Sequence, residues 1–102
     1  MNAPETLAAM QPDLAAQLAA VPRVARLFRL QYEQVQQCWV LLYPEGMVKL
    51  NQSAGEIMSR CDGVKSVAAI VAELEAAFGA TGLAHDVLGF LAIAREKHWI
   101  EP

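Results

Sequence analysis

Residues 43–57 read Tyr43-Pro44-Glu45-Gly46-Met47-Val48-Lys49-Leu50-Asn51-Gln52-Ser53-Ala54-Gly55-Glu56-Ile57, and this run decides the fold. Pro44 presets a turn-compatible φ, and Gly46 suits a tight reversal that needs positive φ. Met47 to Leu50 reads as a short strand, with Val48 and Leu50 on one face and Met47 and Lys49 on the other. Ser53 and Glu56 have capping-box spacing, so a helix begins at Ser53 or at Asn51. A short strand running straight into a helix belongs at a sheet edge. There its unpaired N–H and C=O groups can accept another peptide.

Upstream, Arg26 to Tyr32 alternates as a first strand, with Phe28, Leu30 and Tyr32 on one face. Cys38 to Tyr43 is a second strand, apolar on both faces, which predicts a central position. One of its faces must meet helices. The other, expected to be Trp39, Leu41 and Tyr43, then needs a cover from the N-terminal tail or a second protomer. Downstream, three helices are expected. The first runs from about Ser53 to Cys61, and Gly63 ends it. The second is N-capped by Ser66 and stopped by Gly79. The third runs from about Ala84 to His98. Three antiparallel strands followed by a three-helix bundle make an α+β layer arrangement. Residues 1–21 form an alanine-rich N-terminal arm broken by Pro4 and Pro12, in which Asp13 to Ala20 has helical spacing. It is either mobile or docked on a partner. The folded domain is expected over residues 22–102.

The chain has 102 residues, 55% of them apolar, with eight Lys and Arg against eleven Asp and Glu. That length bounds it to one domain. The acidic balance argues against a grip on nucleic-acid phosphates. No apolar run reaches the roughly 20 residues of a membrane span, and the first residues lack a signal-peptide pattern. A cytoplasmic location is therefore expected. Cys38 and Cys61 read as two reduced, buried thiols, the alternative being a disulfide or redox pair.

Catalytic chemistry finds little support. His85 and His98 share one predicted helix but fall about 140° apart around it, so they cannot clamp a metal together. Cys61 has no neighbouring base. Gly79-Ala80-Thr81-Gly82 follows a helix and lacks the Lys-Ser/Thr of a phosphate loop. The exposed helix faces carry Glu73, Glu75, Asp86 and Glu96, a poor match to a DNA groove. No enzyme activity, metal or cofactor is expected.

A peptide groove fits better. The candidates are Met47, Val48, Lys49 and Leu50 on the edge strand, and Asp86, Val87, Phe90, Leu91 and Arg95 on the third helix. The strand would offer main-chain hydrogen bonds and the helix an apolar opposite wall. Lys49 and Arg95 would steer an acidic peptide, and Asp86 a basic group. The competing reading makes Val87, Phe90 and Leu91 plain core. Arg23, Arg26 and Arg29 form a second basic cluster, either a solvated face or a docking patch for a larger protein.

Several of these motifs also carry a family resemblance. Tyr43-Pro44-Glu45-Gly46, Leu50 to Ile57, Cys61-Asp62-Gly63, Ser66-Val67 with Ile70 and Leu74, Asp86-Val87 with Phe90-Leu91, and Trp99-Ile100 occur in the order found in the pyrroloquinoline-quinone (PQQ) biosynthesis protein D (PqqD) family. The chain resembles that family from about Pro22 to Ile100. It departs from the pattern at His98, where a glycine is usual, and at Ala94, where a larger aliphatic is usual. The resemblance implies a winged-helix-like fold and a non-catalytic peptide chaperone. Such proteins bind the precursor peptide PqqA and present it to the radical S-adenosylmethionine (SAM) enzyme PqqE. The alternatives are a recognition domain for another ribosomal peptide-modifying pathway, or a homodimeric assembly protein joined through Trp39, Leu41 and Tyr43 or the N-terminal arm.

Overall fold

A computed structural model describes residues 14–102. The part of the expected arm before Leu14 lies outside them. The elements, in chain order, are helix α1 (Leu14–Ala19), strands β1 (Arg23–Val24), β2 (Arg29–Glu33), β3 (Cys38–Tyr43) and β4 (Gly46–Lys49), helices α2 (Gln52–Met58), α3 (Val67–Phe78) and α4 (Ala84–Glu96), and strand β5 (Ile100–Glu101). The α+β class holds: an antiparallel three-stranded sheet, ordered β2-β3-β4, precedes the helices α2 to α4.

Capping explains the sharpest boundaries. The Ser66 hydroxyl accepts the Ala69 N–H at 3.1 Å and starts α3. Gly79, at φ 60°, stops it in the left-handed conformation that glycine adopts without a Cβ clash. At α2 the cap is Asn51, whose Oδ1 accepts the Ala54 N–H at 2.8 Å. Ser53 sits inside the first turn and donates its hydroxyl to the same Oδ1 at 3.2 Å. Helix α2 stops at Met58, short of the expected Cys61. Its end tightens into i→i+3 bonds, Arg60 N–H to Ile57 O and Cys61 N–H to Met58 O, before Asp62 bridges to Arg23.

The first strand also departs from expectation. Ala25 to Phe28 is a turn, closed by Phe28 N–H donating to Ala25 O at 2.9 Å, so β2 begins only at Arg29. The residues before the turn pair elsewhere, Arg23 with Glu101 and Val24 with Ile100. This small second sheet ties the start of the domain to its end. Gly46 is not in the positive-φ region. Its need is space, since a Cβ there would lie 3.3 Å from the Tyr43 hydroxyl.

The main correction concerns the sheet's faces. Leu41 is fully buried and belongs to one core with Leu50, Ile57, Met58, Ile70, Leu74, Val87 and Leu91. Leu30, Trp39 and Val48 pack against that core. Helix α2 approaches so closely that a Cβ on Gly55 would come within 2.6 Å of Trp39 Cδ1. The face carrying Trp39 and Leu41 is thus the one its own helices cover, and it is not an open dimer surface. Cys38, Val40, Leu42 and Met47 lie on the opposite face. Helix α1 packs on α3, and Val67 N–H donates to Ala20 O at 2.8 Å.

Helix α4 ends in a Schellman motif. Trp99 N–H donates to Ala94 O at 2.8 Å and His98 N–H to Arg95 O at 3.0 Å. His98 occupies the left-handed position at φ 63°, the place where this motif favours glycine.

Candidate functional site

Among the described residues, strand β4 is an edge of the sheet, with β3 on one side only. Leu50 N–H donates to Trp39 O at 3.0 Å, and the register pairs Leu41 with Val48 and Tyr43 with Gly46. Backbone groups on an antiparallel strand point alternately to either side. Gly46, Val48 and Leu50 therefore face β3. The N–H and C=O of Met47 and Lys49 face the open edge.

The candidate side chains divide into two groups. Leu50, Val87 and Leu91 are buried together in the core, and Val48 and Phe90 are half-buried against it. Met47, Lys49, Asp86 and Arg95 are exposed. Val87 and Leu91 are positioned by the buried stripe of α4. At that depth they belong to the core. Phe90 has its ring 6.5 Å from that of Trp99. Arg95 lies close enough to Cys61 for its charge to act on the thiol.

Beyond the end of β4, an apolar cleft of about 340 Å³ opens between the start of α2, the end of α3 and the start of α4. Ile57, Leu74, Phe78, Leu83 and Val87 line it, with Ser53, Glu56 and Asp86 among its polar residues. Phe78 is half-exposed here although it belongs to the apolar stripe of α3. Glu75 Oε2 accepts the Leu83 N–H at 2.9 Å and so holds the connection that forms one wall. Of the cleft residues, only Asp86 and Val87 were legible as site candidates. The others share the helical spacing of core residues, and no sequence signal separates a cleft wall from a core.

The titratable groups hold little reactivity. Burial, aided by the Asp62 carboxylate and opposed by Arg95, pushes the Cys61 thiol up to about 11, so it stays protonated and weakly nucleophilic near neutrality. Hydrogen bonds from the Lys65 side chain and from the Lys65 and Val64 backbone hold Asp62 well below the usual carboxylate range. These bonds shape the turn after α2. Among the described residues no group of three His, Cys, Asp or Glu side chains is placed to hold a metal ion. No described helix is long and apolar enough to cross a membrane. Among the described residues the arrangement offers a free strand edge and, at the start of the helix that follows it, an apolar cleft.

The chain is similar to known proteins in sequence and in structure. Residues 38–100 match the family model described as coenzyme PQQ synthesis protein D (PqqD). The chain is 50% identical over 86 residues to a PqqA binding protein of Stutzerimonas stutzeri, covering 83% of this chain and 94% of that one. It is 55% identical over 82 residues to a PqqA binding protein of Azotobacter vinelandii, covering 79% and 89%. In structure it is similar to the PqqD truncation of Methylobacterium extorquens PqqCD, solved by solution NMR. That protein is described as a functional, stand-alone recognition element for ribosomally synthesized and post-translationally modified peptides. The TM-score is 0.70 at 30% identity, over 83% of this chain and 93% of that one.

Proposed function

The chain belongs to the PqqD family, and from that premise we propose that it is a non-catalytic recognition element for the precursor peptide PqqA in PQQ biosynthesis. The peptide adds to the open edge of β4 as a fourth strand and is presented there to the radical SAM enzyme PqqE. The observation that carries this reading is the outward direction of the Met47 and Lys49 backbone groups. A strand edge supplies main-chain hydrogen bonds to any extended peptide, and side-chain pockets supply selectivity. The cleft beside Phe78 and Leu83 is the pocket for an apolar peptide side chain. Exposed Lys49 and Arg95 steer acidic peptide groups. Presentation needs no reactive residue, because it raises the local concentration of the peptide at the enzyme. The two free thiols fit a reducing cytoplasm.

The test is calorimetric titration of synthetic PqqA into single proline variants. Met47→Pro removes an outward N–H and leaves the β3–β4 ladder whole, so it should weaken binding by about three- to tenfold, the worth of one hydrogen bond. Tyr32→Pro, on the far edge of β2, should leave affinity unchanged. Equal affinity for the wild type and Met47→Pro would remove β4 from the site.

A further inference from the structure

A protein that presents a peptide must hold peptide and enzyme together, so the enzyme needs a surface away from β4. We propose that the turn from Ala25 to Phe28, with the start of β2, is that surface, and that it docks on an acidic protein patch bearing an apolar socket. This rests on the presentation reading, since the acidic patch belongs to the enzyme that receives the peptide.

The turn closed by Phe28 N–H and Ala25 O pushes Leu27 outward until it is 77% exposed. Exposure alone does not single out Leu27, since Val35 and Val64 are more exposed; its place between two clefts does. Clefts open on both sides of it. One, of about 390 Å³, is lined by Arg26, Phe28, Arg29, Tyr43 and Pro44, and its Phe28 and Tyr43 rings pack 5.6 Å apart. The other, of about 450 Å³, is lined by Leu27, Phe28, His98, Ile100 and Glu101.

Charge selects the partner. Arg26 and Arg29 are exposed and make no ion pair among the described residues. Arg23 differs, with Nε 3.2 Å from Glu101 Oε2. Among the described residues, that contact occupies the only carboxylate lining either cleft. From Val21 to Tyr32 the chain carries three arginines and no acid, within a protein of net charge −3. Two free guanidiniums around an apolar anchor complement carboxylates around an apolar socket. The overall negative charge disfavours nucleic acid and anionic membrane. The turn leads into β2, the strand of the three-stranded sheet farthest from the β4 edge. In the order β2-β3-β4 the two edges lie two strand spacings apart, roughly 10 Å.

The experiment measures binding of the full chain to purified PqqE by biolayer interferometry at low and high salt, and to PqqA by calorimetry. The variant Arg26→Glu/Leu27→Ser/Arg29→Glu alters exposed side chains only, and its amide spectrum checks the fold. It should lose at least tenfold in PqqE affinity, with PqqA affinity unchanged. Arg26→Lys/Arg29→Lys should retain PqqE binding and its salt dependence. PqqE binding by the triple variant equal to wild type would overturn the proposal. A wild type that binds PqqA and not PqqE would end the presentation reading and this surface with it. Loss of PqqE binding in the triple variant, with no PqqA binding by the wild type, would uphold the surface and remove the groove.

Discussion

The two faces of the three-stranded sheet are both apolar along β3, yet they have opposite fates. Trp39 and Leu41 press on α2, where Gly55 leaves room for the indole. Val40 and Leu42 face away, and their register neighbours are Gln31 and Lys49, and Arg29 and Met47. The inner face is a packed core under the helices, while on the outer face Val40 is buried at 3% exposure yet stands outside that core, in an apolar stripe between charged and polar side chains. The lesson is that apolar content does not assign a face. A single close approach between helix and sheet does.

Leu41 tests the assignment of the helix-covered face most directly. Leu41→Ala should cost about 2–5 kcal/mol of stability by urea unfolding, because the fully buried side chain leaves a cavity. A loss under about 0.5 kcal/mol would mean the faces are exchanged. Next comes Gly55→Ala, which places a methyl 2.6 Å from the Trp39 ring and should cost about 1–3 kcal/mol by overpacking. An unchanged midpoint would show that α2 stands off from β3.

The cysteines sharpen the same contrast. Cys38 lies half-buried on the outer face and Cys61 in the core. A thiol reagent should label Cys38 in the native protein and reach Cys61 only on unfolding; equal rates would deny the core position. Because burial raises the Cys61 thiol from about 9 to about 11, the folded state holds its proton longer than the unfolded one. The stability this contributes is fully present below about pH 9 and is lost as pH rises towards 11. A stability profile flat across that window would contradict it.

Smaller effects follow. His98→Gly relieves a left-handed residue at φ 63° and should raise stability by up to about 1 kcal/mol, after the glycine's greater unfolded-state entropy is subtracted. A loss would show that the imidazole makes a compensating contact. Met47→Ala, on the outer face and 55% exposed, should stay within about 0.5 kcal/mol. A larger loss would mean that this face is covered in solution.

Much of this architecture was legible from local chemistry. Ser66 and Gly79 bound α3 because a cap and a left-handed stop act within one turn. Cys38 to Tyr43 was legible as the central strand from its unbroken apolar run. Helix α4 ends at Glu96, two residues before the expected His98, and the Schellman geometry explains why glycine suits position 98. Asn51 outranked Ser53 as the cap, a choice both residues' chemistry allowed and only the chain path decided. The candidate groove was half legible. Alternation placed Met47 and Lys49 together but did not say that their backbone groups are the free ones. The cleft beside Phe78 was not legible, because its walls come from three helices.

By itself, the sequence determined the class, the order of the three sheet strands and the three helices after them, the bounds of α3 and the family likeness, since these rest on patterns local to the chain. The tertiary structure alone decided which face of β3 the helices cover, which edge groups of β4 are open, and that Arg23–Val24 pairs with Ile100–Glu101. The physical reason is range. A two-residue strand has no periodicity to read, and an apolar run has the same local energy whichever way it faces. Only the approach of Gly55 to Trp39 and the Leu50–Trp39 hydrogen bond distinguish the alternatives.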